Sequence, residues 1–217
     1  MQALPAPLAR FRPFWFLATF AAVAAWAAAT RADSPTIVAV EEDWELVVAN
    51  PDANNNAPQV TCVVSPVGTI SSVRAALEIN QQTLPRYAPG GLQLQLWYGE
   101  HPLYEQTLPN TVVMAQPNET VTWTQTMQLA SGVLVFEVLN GSSTTWGAFG
   151  GGGSLRVVCL TELEDLNRYS PDVSVANSAV GFAANRVQSL VLKRVRRISS
   201  TGDVFEDNTP RPVLQQE

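Results

Sequence analysis

The chain is short of the residue types that most protein chemistry is built on. Among 217 residues there is one lysine, Lys193, one histidine, His101, and two cysteines, Cys62 and Cys159; only 15% of residues are charged. A single histidine excludes a multi-histidine metal centre. It also leaves His101, in the turn Gly99-Glu100-His101-Pro102, as the sole base for a serine triad, and no Gly-x-Ser-x-Gly elbow accompanies it. The longest apolar run, Phe14–Ala29, has 16 residues, short of the roughly 20 needed to span a bilayer. No internal repeat of solenoid or propeller period is present.

That apolar run follows Arg10 and Arg12 and leads into the small residues Ala27-Ala28-Ala29-Thr30-Arg31-Ala32. A basic start, an apolar middle and small residues at a cleavage position predict a secretory signal over residues 1–32. The alternative is an uncleaved N-terminal anchor, the only route to a membrane that the sequence offers. The expected location is outside the cytoplasm: periplasm, cell surface or medium. Without Arg10, Arg12 and Arg31, 10 basic side chains face 19 acidic ones, a net charge of −9. Such a surface repels phosphate and argues against a nucleic-acid partner.

In an exported chain, two cysteines predict a disulfide. Cys62 and Cys159 each lie in a strand-like run, Gln-Val-Thr-Cys-Val-Val-Ser and Leu-Arg-Val-Val-Cys-Leu-Thr. A bridge closing so long a loop would stabilise the fold by up to about 4–5 kcal/mol. The alternative is a pair of buried free thiols.

What the chain does have is short runs of β-branched and aromatic residues broken by turn signals. Residues 131–161 show it best: Val133–Leu139, the dipeptide Asn140-Gly141, Thr144–Phe149, four glycines Gly150–Gly153, then Leu155–Thr161. Asn-Gly is a strong two-residue hairpin signal. Leu92–Tyr98 alternates Leu92, Leu94, Leu96 and Tyr98 against Gln93, Gln95 and Trp97, which predicts one buried and one polar face. Val121–Leu129 alternates in the same way against a threonine-rich face. Ile37–Val40 and Trp44–Ala49 read as a strand pair or one strand interrupted by Glu41-Glu42-Asp43. Ser71–Asn80 fits either a helical face (Val73, Ala76, Leu77, Asn80) or an alternating strand (Val73, Ala75, Leu77, Ile79), and its strand neighbours favour the strand. Glu162–Arg168 fits a helical turn, and Val173–Val175 a short strand. Lys193, Arg194, Arg196 and Arg197 form a basic group, read as a solvated edge. These signals predict ten to twelve strands in an all-β antiparallel sandwich or jelly roll, one domain over 33–205, with a loose tail over 206–217.

Val133–Thr161 and Val180–Val195 resemble the late strands of concanavalin A-like jelly rolls, the sandwich of laminin G-type and legume-type lectin domains. The resemblance implies a lectin-like fold and carbohydrate recognition. It does not carry over a catalytic set. Glu162-Leu163-Glu164-Asp165 lacks the order of the acidic strand in hydrolases of that fold, and the Gln-Ile-His strand of its lyases is missing.

Three groups are candidate sites. Trp97 with Gln93 and Gln95 would offer a stacking face and amide donors to a sugar, against the alternative that Trp97 is covered. Trp146, between Thr145 and Gly147, is a second aromatic candidate. Asp52, Asn54 and Asn56 alternate as oxygen ligands for Ca²⁺ would; Ala57 stands where the turn glycine belongs and no glutamate closes the loop, so a plain Asx-rich loop is the preferred reading. No other cofactor is implied. The expected function is a non-catalytic binding or envelope protein whose partner is a glycan or another envelope protein. The alternatives are a polysaccharide hydrolase of the same fold and a purely structural surface subunit.

Overall fold

The computed structural model describes residues 35–50, 58–80, 91–107, 114 and 116–216, without the side chains of 105–107. The leader expected over residues 1–32 and the Asp52, Asn54 and Asn56 loop lie outside the described residues.

The protein is an all-β sandwich of two antiparallel sheets. In chain order the strands are β1 (Ile37–Val48), β2 (Val60–Val64), β3 (Val73–Ile79), β4 (Leu92–Tyr98), β5 (His101–Thr107), β6 (Glu119–Ala130), β7 (Val133–Ser143), β8 (Gly147–Phe149), β9 (Arg156–Leu160), β10 (Ala179–Val180), β11 (Val187–Ser199), β12 (Val204–Asp207) and β13 (Arg211–Gln215). A helix, α1 (Pro171–Asn177), precedes β10. The larger sheet runs β12-β11-β1-β6-β7-β8, with β13 also on β11 and β9 also on β7. The smaller runs β10-β2-β3-β4-β5.

Period-two alternation sets the core. β1 turns Val40, Trp44, Leu46 and Val48 inward, β6 turns Val121, Trp123, Met127 and Leu129, and β4 turns Leu92, Leu94 and Leu96. Trp44 lies opposite Trp123 in register, and their rings stack with centroids 6.3 Å apart and planes 6° from parallel. Val73, Ala75, Leu77 and Ile79 of β3 face the same core, so the strand reading of that segment holds. Ser131 and Gly132, with φ of 49° and 73°, join β6 to β7; positive φ at both positions marks a type I′ hairpin.

Several expectations need correction. Glu41-Glu42-Asp43 does not break β1. Glu41 and Asp43 point outward, where Arg196 and Arg194 of β11 stand opposite them and form ion pairs, Arg194 at 2.6 Å from Asp43. Lys193 meets Glu45 at 3.1 Å. The basic group therefore lies inside the sheet, with β1 on one side and β12 and β13 on the other. Those last strands also overturn the loose tail, since Arg211 ties α1 to the β12–β13 turn through Asp172 and Asp207. Asn140-Gly141 is not a hairpin tip. β7 runs through it with one extra residue, a bulge at which Asn140 takes φ 53°. Gly141 is required because the Phe149 ring lies against its Cα, where a methyl group would enter the ring. The helix occurs at Pro171–Asn177, where the sequence predicts a strand at Val173–Val175, rather than at Glu162–Arg168. Ser170 before it, Pro171 at its first position and Asp172 in its first turn are the start signals.

Cys62 and Cys159 are not joined; both are free thiols. Cys62 sits on β2 beneath β6, where its carbonyl accepts from Gln125. Cys159 is on β9, which packs against β4 and β5 at the other flank. β2 and β4 are two strand intervals apart, roughly 10 Å at the usual spacing, beyond the ~7 Å Cα separation a disulfide bridges.

Candidate functional site: an open edge beside a closed polar seam

The alternation that buries Trp44 and Leu46 also buries Glu42, which shares their face. Its carboxylate is fully buried and accepts three hydrogen bonds: from Trp44 Nε1 at 3.0 Å, Tyr169 O–H at 2.7 Å and Ser174 Oγ at 2.5 Å. Gln125 stands directly opposite on β6. Its Oε1 accepts from Trp123 Nε1 at 3.3 Å and its Nε2 donates to the Cys62 carbonyl at 3.1 Å. This seam joins both sheets to α1. Burial pushes the Glu42 carboxyl from its ordinary 4.5 to about 7, against the lowering effect of its three donors. Burial also raises the Cys62 thiol well above its usual range, and the charges of Glu42 and Glu78 add to this. Tyr169 and Ser174 are buried as well. Every member of the seam is buried, so it ties the two sheets and α1 together.

A second buried carboxylate shapes a turn. Glu119 accepts from Ser143 Oγ, from Thr145 N at 2.8 Å and from Thr145 Oγ1 at 2.6 Å. The turn carries Trp146, half-buried, its ring edge-on to Phe149 with centroids 6.1 Å apart.

Gln93, Gln95 and Trp97 do line up on the outer face of β4. Gln95 Nε2 donates to Gln93 Oε1 at 2.7 Å, and Trp97 Nε1 donates to Gln95 Oε1 at 2.8 Å. Both glutamines are buried and Trp97 is half-buried, so this face is not the open polar surface that alternation predicts. The Arg74 guanidinium lies 5.3 Å from the Trp97 ring centroid. Arg74, Glu78, Trp97 and Asn177 border a hollow of about 190 Å³. Trp146 belongs to the other sheet and does not join them. Among the described residues no group of three or more histidine, cysteine, aspartate or glutamate side chains converges as a metal site.

The open surface is elsewhere, at the flank where β5 and β9 end their sheets. A cleft of about 730 Å³ lies there, bordered by Val73, Tyr98, Leu103, Cys159, Leu160 and Leu163. Tyr98 is 60% exposed, Leu103 58% and Leu160 87%. Val133 and Val135 of β7 pair with Leu160 and Val158, so an apolar strip continues over the outside of the larger sheet. Large side chains so exposed and so close together form an apolar patch of the kind that interaction surfaces carry. The mouth carries Glu162 and Arg168, both exposed. Sequence reasoning missed this site because Leu155–Thr161 was read only as a strand. Its signal was legible in principle: apolar residues at consecutive positions of a short strand cannot all face one core.

No protein-family model matches the chain, and no curated protein matches it. Fold and surface define its class, a two-sheet antiparallel sandwich with one apolar flank. Among the described residues no helix is long and apolar enough to cross a membrane.

Proposed function

We propose that the protein is an exported, non-catalytic binding module of the lectin-like sandwich kind, and that it works through the cleft between β5 and β9. The observation that carries this reading is the exposure of Tyr98, Leu103 and Leu160 around one 730 Å³ cleft. Burying a leucine there is worth about 1.5–3 kcal/mol, enough for a few such contacts to hold a partner. The leader-like residues 1–32 support export. Among the described residues the buried carboxylates, Glu42, Glu78 and Glu119, all accept hydrogen bonds within the fold, which favours binding over hydrolysis.

The test is binding of the neutral apolar dye Nile red to the chain from residue 33. Wild type should enhance its fluorescence, and the double variant Leu103→Gln/Leu160→Gln should lose most of that while melting at the same temperature. Unchanged fluorescence would remove the cleft as the binding surface. A second reading, carbohydrate recognition, is favoured by the hollow beside Trp97. A glycan array compared between wild type and Trp97→Ala decides it: equal signal, or none, rejects the sugar reading.

A further inference from the structure

The two strands that border the cleft are not equivalent as sheet edges. β5 carries Pro102, which lacks an N–H and blunts an edge. β9 reads Arg-Val-Val-Cys-Leu; it has no proline or lysine, and Arg156, its one charge, is engaged by Glu137 at 3.7 Å. Val158 and Leu160 project from its outer face, while Cys159 lines the cleft on its inner face. Among the described residues β9 pairs with β7 alone. An unprotected edge with apolar groups on both faces is the receiving half of strand addition.

Charge narrows the partner. Glu162 and Glu164 follow β9 directly and are exposed, as is Glu100 at the β4–β5 turn; Arg168 is the single basic residue at the mouth. Among the described residues none of these three glutamates forms a salt bridge. The chain from residue 33 carries a net charge of −9. We infer that the free edge of β9 accepts an extended segment of another polypeptide, cationic with alternate apolar side chains, as an added strand whose apolar face fills the cleft and whose basic face meets Glu100, Glu162 and Glu164. This rests on the reading of the cleft as a binding surface.

The probes are two fluorescein-labelled decapeptides, one alternating lysine and valine, the other glutamate and valine, read by fluorescence anisotropy, with amide hydrogen exchange on the complex. The lysine peptide should bind and the glutamate peptide should not. Leu160→Gln, which leaves the charge unchanged, should weaken binding about tenfold or more. Glu162→Gln/Glu164→Gln should flatten its salt dependence, and exchange should slow at Arg156–Leu160. Lysine-peptide binding that Leu160→Gln leaves untouched would mean diffuse charge attraction and overturn the inference, as would slowed exchange at β5 alone. Nile red bound in the cleft with neither peptide binding would sink the strand partner and leave the cleft standing; failure of dye and peptides together would remove both.

Discussion

Glu42 makes the stability of this sandwich fall as pH rises. In the folded protein its carboxyl holds its proton up to about pH 7, while in the unfolded chain it releases it near 4.5. Between those values the native state binds the extra proton, so each pH unit gained weakens folding. The difference of about 2.5 units, at 1.36 kcal/mol per unit, amounts to about 3 kcal/mol lost between pH 4.5 and 7, with no further loss above. Glu42→Gln removes the titration while keeping the shape. The Tyr169 and Ser174 hydroxyls can turn to accept from the new amide, and the amide oxygen can still accept from Trp44. The assay is urea unfolding of wild type and variant at pH 5, 6, 7 and 8, followed by fluorescence of the stacked Trp44–Trp123 pair. The variant's advantage over wild type should grow by about 2.5 kcal/mol across that range, since other titrating groups cancel in the difference. A difference that stays flat with pH, or a wild type that gains on the variant as pH rises, would refute the argument that burial outweighs the three donors.

Other outcomes follow from the same contacts. Tyr169→Phe should cost about 1.5–3 kcal/mol at pH 8, where it deprives an ionised carboxylate of a donor, and less at pH 5; paired melts at the two pH values check this. Gly141→Ala should destabilise by about 1–3 kcal/mol, because its methyl group must displace Phe149, and Phe149→Leu in the same background should recover part of the loss. Intact mass should be the same with and without reductant, and iodoacetamide should label two thiols in urea but leave Cys62 unmodified in the native protein; a two-hydrogen mass difference would restore the disulfide. Arg194→Ala should change stability by less than about 1 kcal/mol, an effect that shrinks in high salt, since its pairs with Asp43 and Glu206 are partly exposed.

The residues alone determined the class of the fold and much of its core. Leu92, Leu94 and Leu96, or Val121, Trp123 and Met127, could be assigned to an interior from alternation, because a strand exposes its two faces in strict turn whatever lies beyond it. Local signals equally pointed to a turn at Ser131-Gly132, whereas Ser170-Pro171 reads as the end of a helical turn and Val173–Val175 as a strand where the helix in fact begins. The same parity contains Glu42, yet three acidic residues in a row read as a break until the donors arrive, and Tyr169 and Ser174 are 127 and 132 positions away. The separation of Cys62 from Cys159 was likewise a matter of strand order, for inward-facing cysteines of two stacked sheets meet only if their strands lie across from each other, and β9 lies over β4 and β5 rather than β2. So was the exposure of Leu160, which depends on β9 having β7 on one side and no described strand on the other. Periodicity acts through bonds between adjacent residues and can be read along the chain. Strand order is set by the packing of segments a hundred residues apart, and it placed the buried charge, the unjoined thiols and the open edge.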